Sequence, residues 1–160
     1  METKEQKMSI KRLAIYDMDG TIVCSLHRYR AVDGKIDLAY WRENQPLAML
    51  DSLLPMAEQY RADLADSSTY VIIATARIMN GPDWQFVNDI LGKPDYFISR
   101  KDGDCQSGAS LKIKGLAKFF NLKNFRNADA VFYEDNVSYL KAVCDRFNIR
   151  GVYVPSKQGH

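Results

Sequence analysis

The chain has 160 residues, enough for one domain with a single sizeable core. Its composition, 46% hydrophobic and 26% charged, is that of a globular protein, and no run approaches the roughly 18 apolar residues of a membrane span. A net charge of +2 is too small to identify a polyanionic partner, and the opening METKEQKMSI lacks the apolar stretch of a signal peptide.

Residues 1–10 read as a flexible polar tail preceding one domain over 11–160. The cysteines Cys24, Cys105 and Cys144 are scattered without CxxC spacing, so a reduced, cytoplasmic setting is expected. The first strand, RLAIYDM over 12–18, leads through Asp17 and Asp19 into a Gly20-Thr21 turn. Side chains alternate along an extended chain, which places Asp17 and Asp19 on one side. Residues 22–45 are expected to form a small flap, too short for a separate cap domain. The flap carries His27, Arg28, Tyr29, Tyr40 and Trp41, whose aromatic rings can stack a base but more often serve packing.

A helix is predicted over roughly 46–65, with Pro46 in its first turn. The second strand, TYVIIAT over 69–75, ends at Thr75 and is followed by Arg77. A hydroxyl and a guanidinium so placed suit a phosphoryl oxygen. A helix over 82–91 starts on Pro82 and stops at Gly92, and a third strand covers 95–99. In RKDGDCQSGASLK, Arg100 to Lys112, either Ser107 or Ser110 caps a helix over 110–121, which puts Lys112 in its first turn. Lys114 competes with Lys112, and spacing alone does not separate them. Gly103 to Ser110 has the G-x-x-x-x-G frame of a phosphate loop, but Ala109 stands where the lysine belongs, which excludes a triphosphate loop. The fourth strand, DAVFYE over 129–134, delivers Glu134 and Asp135; a helix over 136–148 and a strand over 151–155 close the chain.

Strands that are apolar throughout, alternating with amphipathic helices, predict an α/β fold: three layers, a Rossmann-like parallel sheet with helices on both faces. Ligands sit at the carboxyl edge of such a sheet. That edge collects Asp17, Asp19, Thr75, Arg77, Lys112, Glu134 and Asp135. Close carboxylates repel and need a cation or a shared proton, and an all-oxygen set of Asp17, Asp19, Glu134 and Asp135 suits Mg2+. Asp17 is then the candidate nucleophile toward a phosphoryl group, Asp19 its acid-base partner, and Gly20 allows a tight backbone at the site.

The ordered set DMDGT, Thr75, a downstream lysine and the Glu134-Asp135 pair resembles the haloacid dehalogenase (HAD) superfamily of aspartate-nucleophile phosphotransferases. Within it, the chain resembles the 3′-phosphatase domains of T-even phage polynucleotide kinase-phosphatases. Arg28 lies where those domains have a functional arginine, and Arg100, Gly103, Asp104 and Lys112 match one of their segments. The resemblance implies Lys112 rather than Lys114. It also implies roles for Arg28, Arg77 and Asp104 in the site, magnesium held by Asp135 with Glu134, and a stand-alone phosphatase without a kinase half. Residues 22–45 match poorly.

Seven basic side chains between Arg100 and Arg126 can steer an anionic substrate. The expected substrate is a phosphorylated nucleic-acid end, releasing its 3′-phosphate. The alternatives are a nucleotidase acting on nucleoside monophosphates and, in another class, a phosphoacceptor signalling or phosphate-binding module without turnover. No membrane partner is expected.

Overall fold

The computed structural model describes residues 10–25, 31–32 and 35–155. The expected tail up to residue 9, together with His27, Arg28, Tyr29, His160 and the side chain of Trp41, lies outside what is described. Ile10 is buried and its N–H bonds the Asn124 carbonyl at 2.9 Å, so packed chain begins inside the expected tail.

In chain order the elements are β1 (Arg12–Tyr16), β2 (Val23–Cys24), β3 (Ala31–Val32), β4 (Lys35–Ile36) and α1 (Leu38–Glu43). After a 3-10 stretch over Gln45–Leu50 come β5 (Ser52–Leu53), α2 (Ala57–Ala65), β6 (Thr69–Ile78) and α3 (Gly81–Phe86), which runs into a π-helical turn over Val87–Leu91. Next are β7 (Tyr96–Arg100) and α4 (Gly108–Leu116), then β8 (Asp129–Glu134), α5 (Val137–Phe147) and β9 (Arg150–Tyr153).

Five strands form one parallel sheet in the order β7-β6-β1-β8-β9. Tyr16 of β1 stands beside Ile73 of β6 and Tyr133 of β8, so Asp17, just past β1, and Glu134, the last residue of β8, stand at one level of the sheet. Both faces are covered. On one, Tyr16, Val71, Ile73 and Tyr133 pack with Tyr60 of α2 and Phe86 of α3. On the other, Leu13, Ile15, Ile72 and Phe132 pack with Leu116 of α4 and Val143 of α5. Burial on two faces is why these strands read as continuous apolar runs rather than alternating ones. No helix among the described residues is long and apolar enough to cross a membrane.

The structure corrects several boundaries. The helix predicted over 46–65 is a 3-10 stretch, a short strand and α2. Proline disfavours helical geometry in the residue before it and lacks an N–H, so Pro55 ends any helix arriving from Pro46. Ser52 and Leu53 instead pair antiparallel with Cys24 and Val23, and the Leu54 N–H bonds the Ile22 carbonyl at 2.9 Å. β6 runs on to Ile78, with irregular register against β7 between Ala74 and Ile78, so Thr75 and Arg77 lie within the strand. Ser107, not Ser110, caps α4, accepting the Ser110 N–H at 3.1 Å, and this shifts Lys112 into the second turn.

Candidate active site

The Asp17 N–H bonds the Tyr133 carbonyl at 2.9 Å, extending the β1–β8 ladder by one residue before the chain turns. The turn is tight: the N–H groups of Ile22 and Val23 both converge on the Met18 carbonyl, and Gly20 sits at φ 81°, where a side chain would be strained. The Asp17 carboxylate accepts the Thr21 hydroxyl at 3.0 Å on one oxygen and the Lys112 ammonium at 2.9 Å on the other. Lys112, 1% exposed, reaches down from α4 and also bonds Glu134 Oε1 at 2.8 Å. The other Glu134 oxygen accepts the Asp135 N–H at 3.2 Å. A single ammonium thus bridges the ends of β1 and β8.

Burial and charge act against each other here. Burial alone raises the Asp17 carboxyl, but Lys112 foremost, with hydrogen bonds from Glu134 and Asp135, brings it below the ordinary carboxylate range. Burial, reinforced by the negative charge of Asp17, holds Glu134 well above that range. Lys112 loses solvation, which favours its neutral form, yet the charges of Asp17 and Glu134 outweigh this and raise its pKa.

Oxygens of Asp17, Glu134 and Asp135 all lie within 4.8 Å of one another, and all three residues are buried. Hard, all-oxygen donors carrying more negative charge than one ammonium balances fit Mg2+, which needs few protein carboxylates and keeps waters. Asp19, which the sequence grouped with these ligands, is not in this trio. The strand ends at Tyr16, so the alternation expected to align Asp19 with Asp17 no longer applies in the turn. The Asp19 carboxylate instead meets Ser25, whose hydroxyl donates at 2.9 Å, and the fork of Arg77.

Arg77 is itself buried. Its Nε bonds one Asp19 oxygen at 3.1 Å and an Nη bonds the other. Its remaining Nη bonds Asp83 at 2.9 Å, and Asp51 lies 3.6 Å from the guanidinium. The sequence had this group facing substrate; protein carboxylates surround it. Thr75 is buried beside it, its hydroxyl oxygen accepting the Arg77 N–H at 3.1 Å. Asp104 accepts the backbone and side-chain N–H groups of Gln106, which lower its pKa, while Arg100 bonds the carbonyls of Ala76, Asp104 and Gln106. These two residues shape the loop before α4. Lys114 is exposed, as are Lys101, Lys118, Lys123 and Arg126.

Sequence reasoning missed Thr21, Ser25, Asp51 and Asp83. Thr21 carried a signal, a hydroxyl one turn from Asp17. Asp83 carried a weaker one in Asn80-x-x-Asp83, a helix-start pattern that is a capping box in the structure.

The parallel sheet and the carboxylates gathered at its carboxyl edge define a HAD-like α/β domain. Among solved structures, the chain is similar to one in the Pnkp1/Rnl/Hen1 RNA repair complex, with a TM-score of 0.70, 18% identity, and coverage of 94% of this chain and 44% of that one. It is also similar to the HAD domain of effector protein Lem4 from Legionella pneumophila, with a TM-score of 0.55, 12% identity, and coverage of 96% of this chain and 90% of that one. More particularly, residues 3–103 match the family of the bacteriophage T5 5′-deoxynucleotidase, and the chain belongs to that family. A curated relative, the 5′-deoxynucleotidase of Escherichia phage T5, is 35% identical over 100 residues, a stretch covering 59% of this chain and 36% of the relative. The family match includes Asp17, Asp19, Thr75 and Arg77 and stops short of Lys112, Glu134 and Asp135.

Proposed function

We propose that the chain is a phosphomonoesterase acting on nucleotide phosphate, with Asp17 as nucleophile. The observation that carries this reading is the Lys112 ammonium bridging Asp17 and Glu134 at 2.9 and 2.8 Å in a buried site. An Asp17 oxygen attacks phosphorus as the ester P–O bond breaks, and the departing oxygen takes the proton of Asp19. Water then attacks the aspartyl-phosphate, giving a proton back to Asp19, and the Asp17–phosphorus bond breaks to release inorganic phosphate. Lys112 and the Thr75 hydroxyl neutralise and orient the phosphoryl oxygens. Asp17, Glu134 and Asp135 would hold Mg2+, which supplies screening of the repulsion between carboxylate and phosphate.

Membership of a deoxynucleotidase family favours deoxynucleoside 5′-monophosphates as substrate. A second reading, removal of 3′-phosphates from nucleic-acid ends, draws on the likeness to a chain of an RNA repair complex and on the Arg100–Lys112 spacing. Phosphate release from deoxynucleoside 5′-monophosphates and from a 3′-phosphorylated oligonucleotide, with and without Mg2+, separates them. The expected outcome is Mg2+-dependent turnover, faster on the mononucleotides and abolished in a folded Asp17→Asn variant. Preference for the oligonucleotide selects the second reading. A long-lived phosphorylated Asp17 without phosphate release would instead make the chain a phosphoacceptor module.

A further inference from the structure

We infer that Asp83 is a positioning residue that sets Asp19, through Arg77, for proton transfer to the leaving group. The inference rests on the phosphatase reading above. Asp83 is fully buried and its two oxygens do different work. Oδ2 accepts the Asn80 N–H at 3.1 Å, closing the capping box that starts α3. Oδ1 accepts the Arg77 Nη at 2.9 Å, while Nε and the other Nη of Arg77 fork onto Asp19. A planar guanidinium gripped at one edge has little freedom to rotate at the other, so the start of α3 fixes where the Asp19 carboxylate can lie. Asp19 is the more accessible end of the chain, 18% exposed against 2% for Arg77 and 0% for Asp83, as suits the one member that meets substrate. The fork also stabilises the carboxylate left on Asp19 once its proton has gone to the leaving oxygen.

Asp83→Asn keeps the size of the side chain and an oxygen for the cap but removes the charge that holds Arg77. A nucleoside leaving group departs as an alkoxide and needs that proton; p-nitrophenolate does not. The ratio kcat/KM reports steps through departure of the leaving group, so it isolates this transfer. For Asp83→Asn we expect kcat/KM to fall by about 10- to 100-fold on a deoxynucleoside monophosphate and by less than about threefold on p-nitrophenyl phosphate. Asn80→Ala cuts the same helix start without touching Arg77; it should lower Tm and reduce both substrates alike. Independently of turnover, the Arg77 Nε–H resonance should exchange faster with water in Asp83→Asn than in wild type or Asn80→Ala. Equal losses on both substrates, or an unchanged Nε–H exchange rate, would overturn the inference. Absence of turnover by the wild type on either substrate sinks the phosphatase reading instead, and the exchange measurement still decides the role of Asp83.

Discussion

An ammonium that is 1% exposed stays charged only where neighbouring carboxylates outweigh its lost hydration, and at Lys112 two of them do. Removing one member of a buried ionic group leaves the others unopposed, a loss of about 3–5 kcal/mol. Lys112→Met should therefore lose stability on that scale in urea unfolding, along with turnover. Adding Glu134→Gln removes part of the stranded charge, so the double variant should be more stable than the sum of the single changes, by about 0.5–3 kcal/mol. Additive losses would mean that Lys112 and Glu134 are not coupled. Asp17 and the Glu134-Asp135 pair could be read as strand-end carboxylates, whereas Lys112 stood level with Lys114 on spacing and was singled out only by the family resemblance. Asp51 and Asp83 were not legible, because a carboxylate whose purpose is to hold an arginine looks, in one dimension, like any turn or helix-start aspartate.

At the scale of elements, what aims Lys112 is the approach of α4 to α5. A Cβ on Gly108 would lie 2.7 Å from the ring of Tyr139, closer than packed atoms tolerate, and the same ring stands 5.1 Å from the Lys112 ammonium. Alanine at a helical glycine is ordinarily neutral to stabilising, but here the contact decides the sign. Gly108→Ala should destabilise by about 1–3 kcal/mol and lower kcat as α4 is pushed off α5. Combining it with Tyr139→Leu, which removes the obstructing ring atoms, should recover stability; persistence of the full loss in that background would refute the clash. The starts of α3 and α4 were close to readable from Pro82 and the serines near 107, since capping is local chemistry. The helix expected over 46–65 was not, because its apolar spacing is shared by a 3-10 stretch, a strand paired with Val23 and Cys24, and α2. Pairing with a distant segment leaves no local trace. The run of β6 to Ile78 has the same origin, since its last residues are strand only by virtue of β7.

For the whole molecule, the sequence established alternation of strand and helix but not the order β7-β6-β1-β8-β9. That order makes β1 central, with β6 and β8 at its sides, and so places Arg77 and Glu134 on opposite flanks of the Asp17–Asp19 turn. The result is two ionic groups rather than the single acidic site expected: the carboxylates of Asp17, Glu134 and Asp135, two of them bonded to Lys112, and Asp19 with Arg77. The first has a global consequence. A ligand that binds only the folded state stabilises it by about 2.7 kcal/mol at 100 times its Kd. For a chain of this size that corresponds to a Tm rise of roughly 5–10 °C. Mg2+ should produce such a rise in the wild type and a smaller one in Asp135→Asn. The rise should also depend on pH. The Glu134 carboxyl is held well above its ordinary range, so over the interval between its unfolded and folded pKa the folded chain keeps a proton that the unfolded chain has lost. Stability without the ion therefore falls as pH rises through that interval. The ion needs the carboxylate and displaces the proton, so its affinity increases over the same interval. Thermal unfolding should accordingly show a larger Mg2+-induced shift at the upper end of that interval than at its lower end. A shift that is absent, or equal in Asp135→Asn and wild type, would remove Asp135 and its neighbours as the site of the ion.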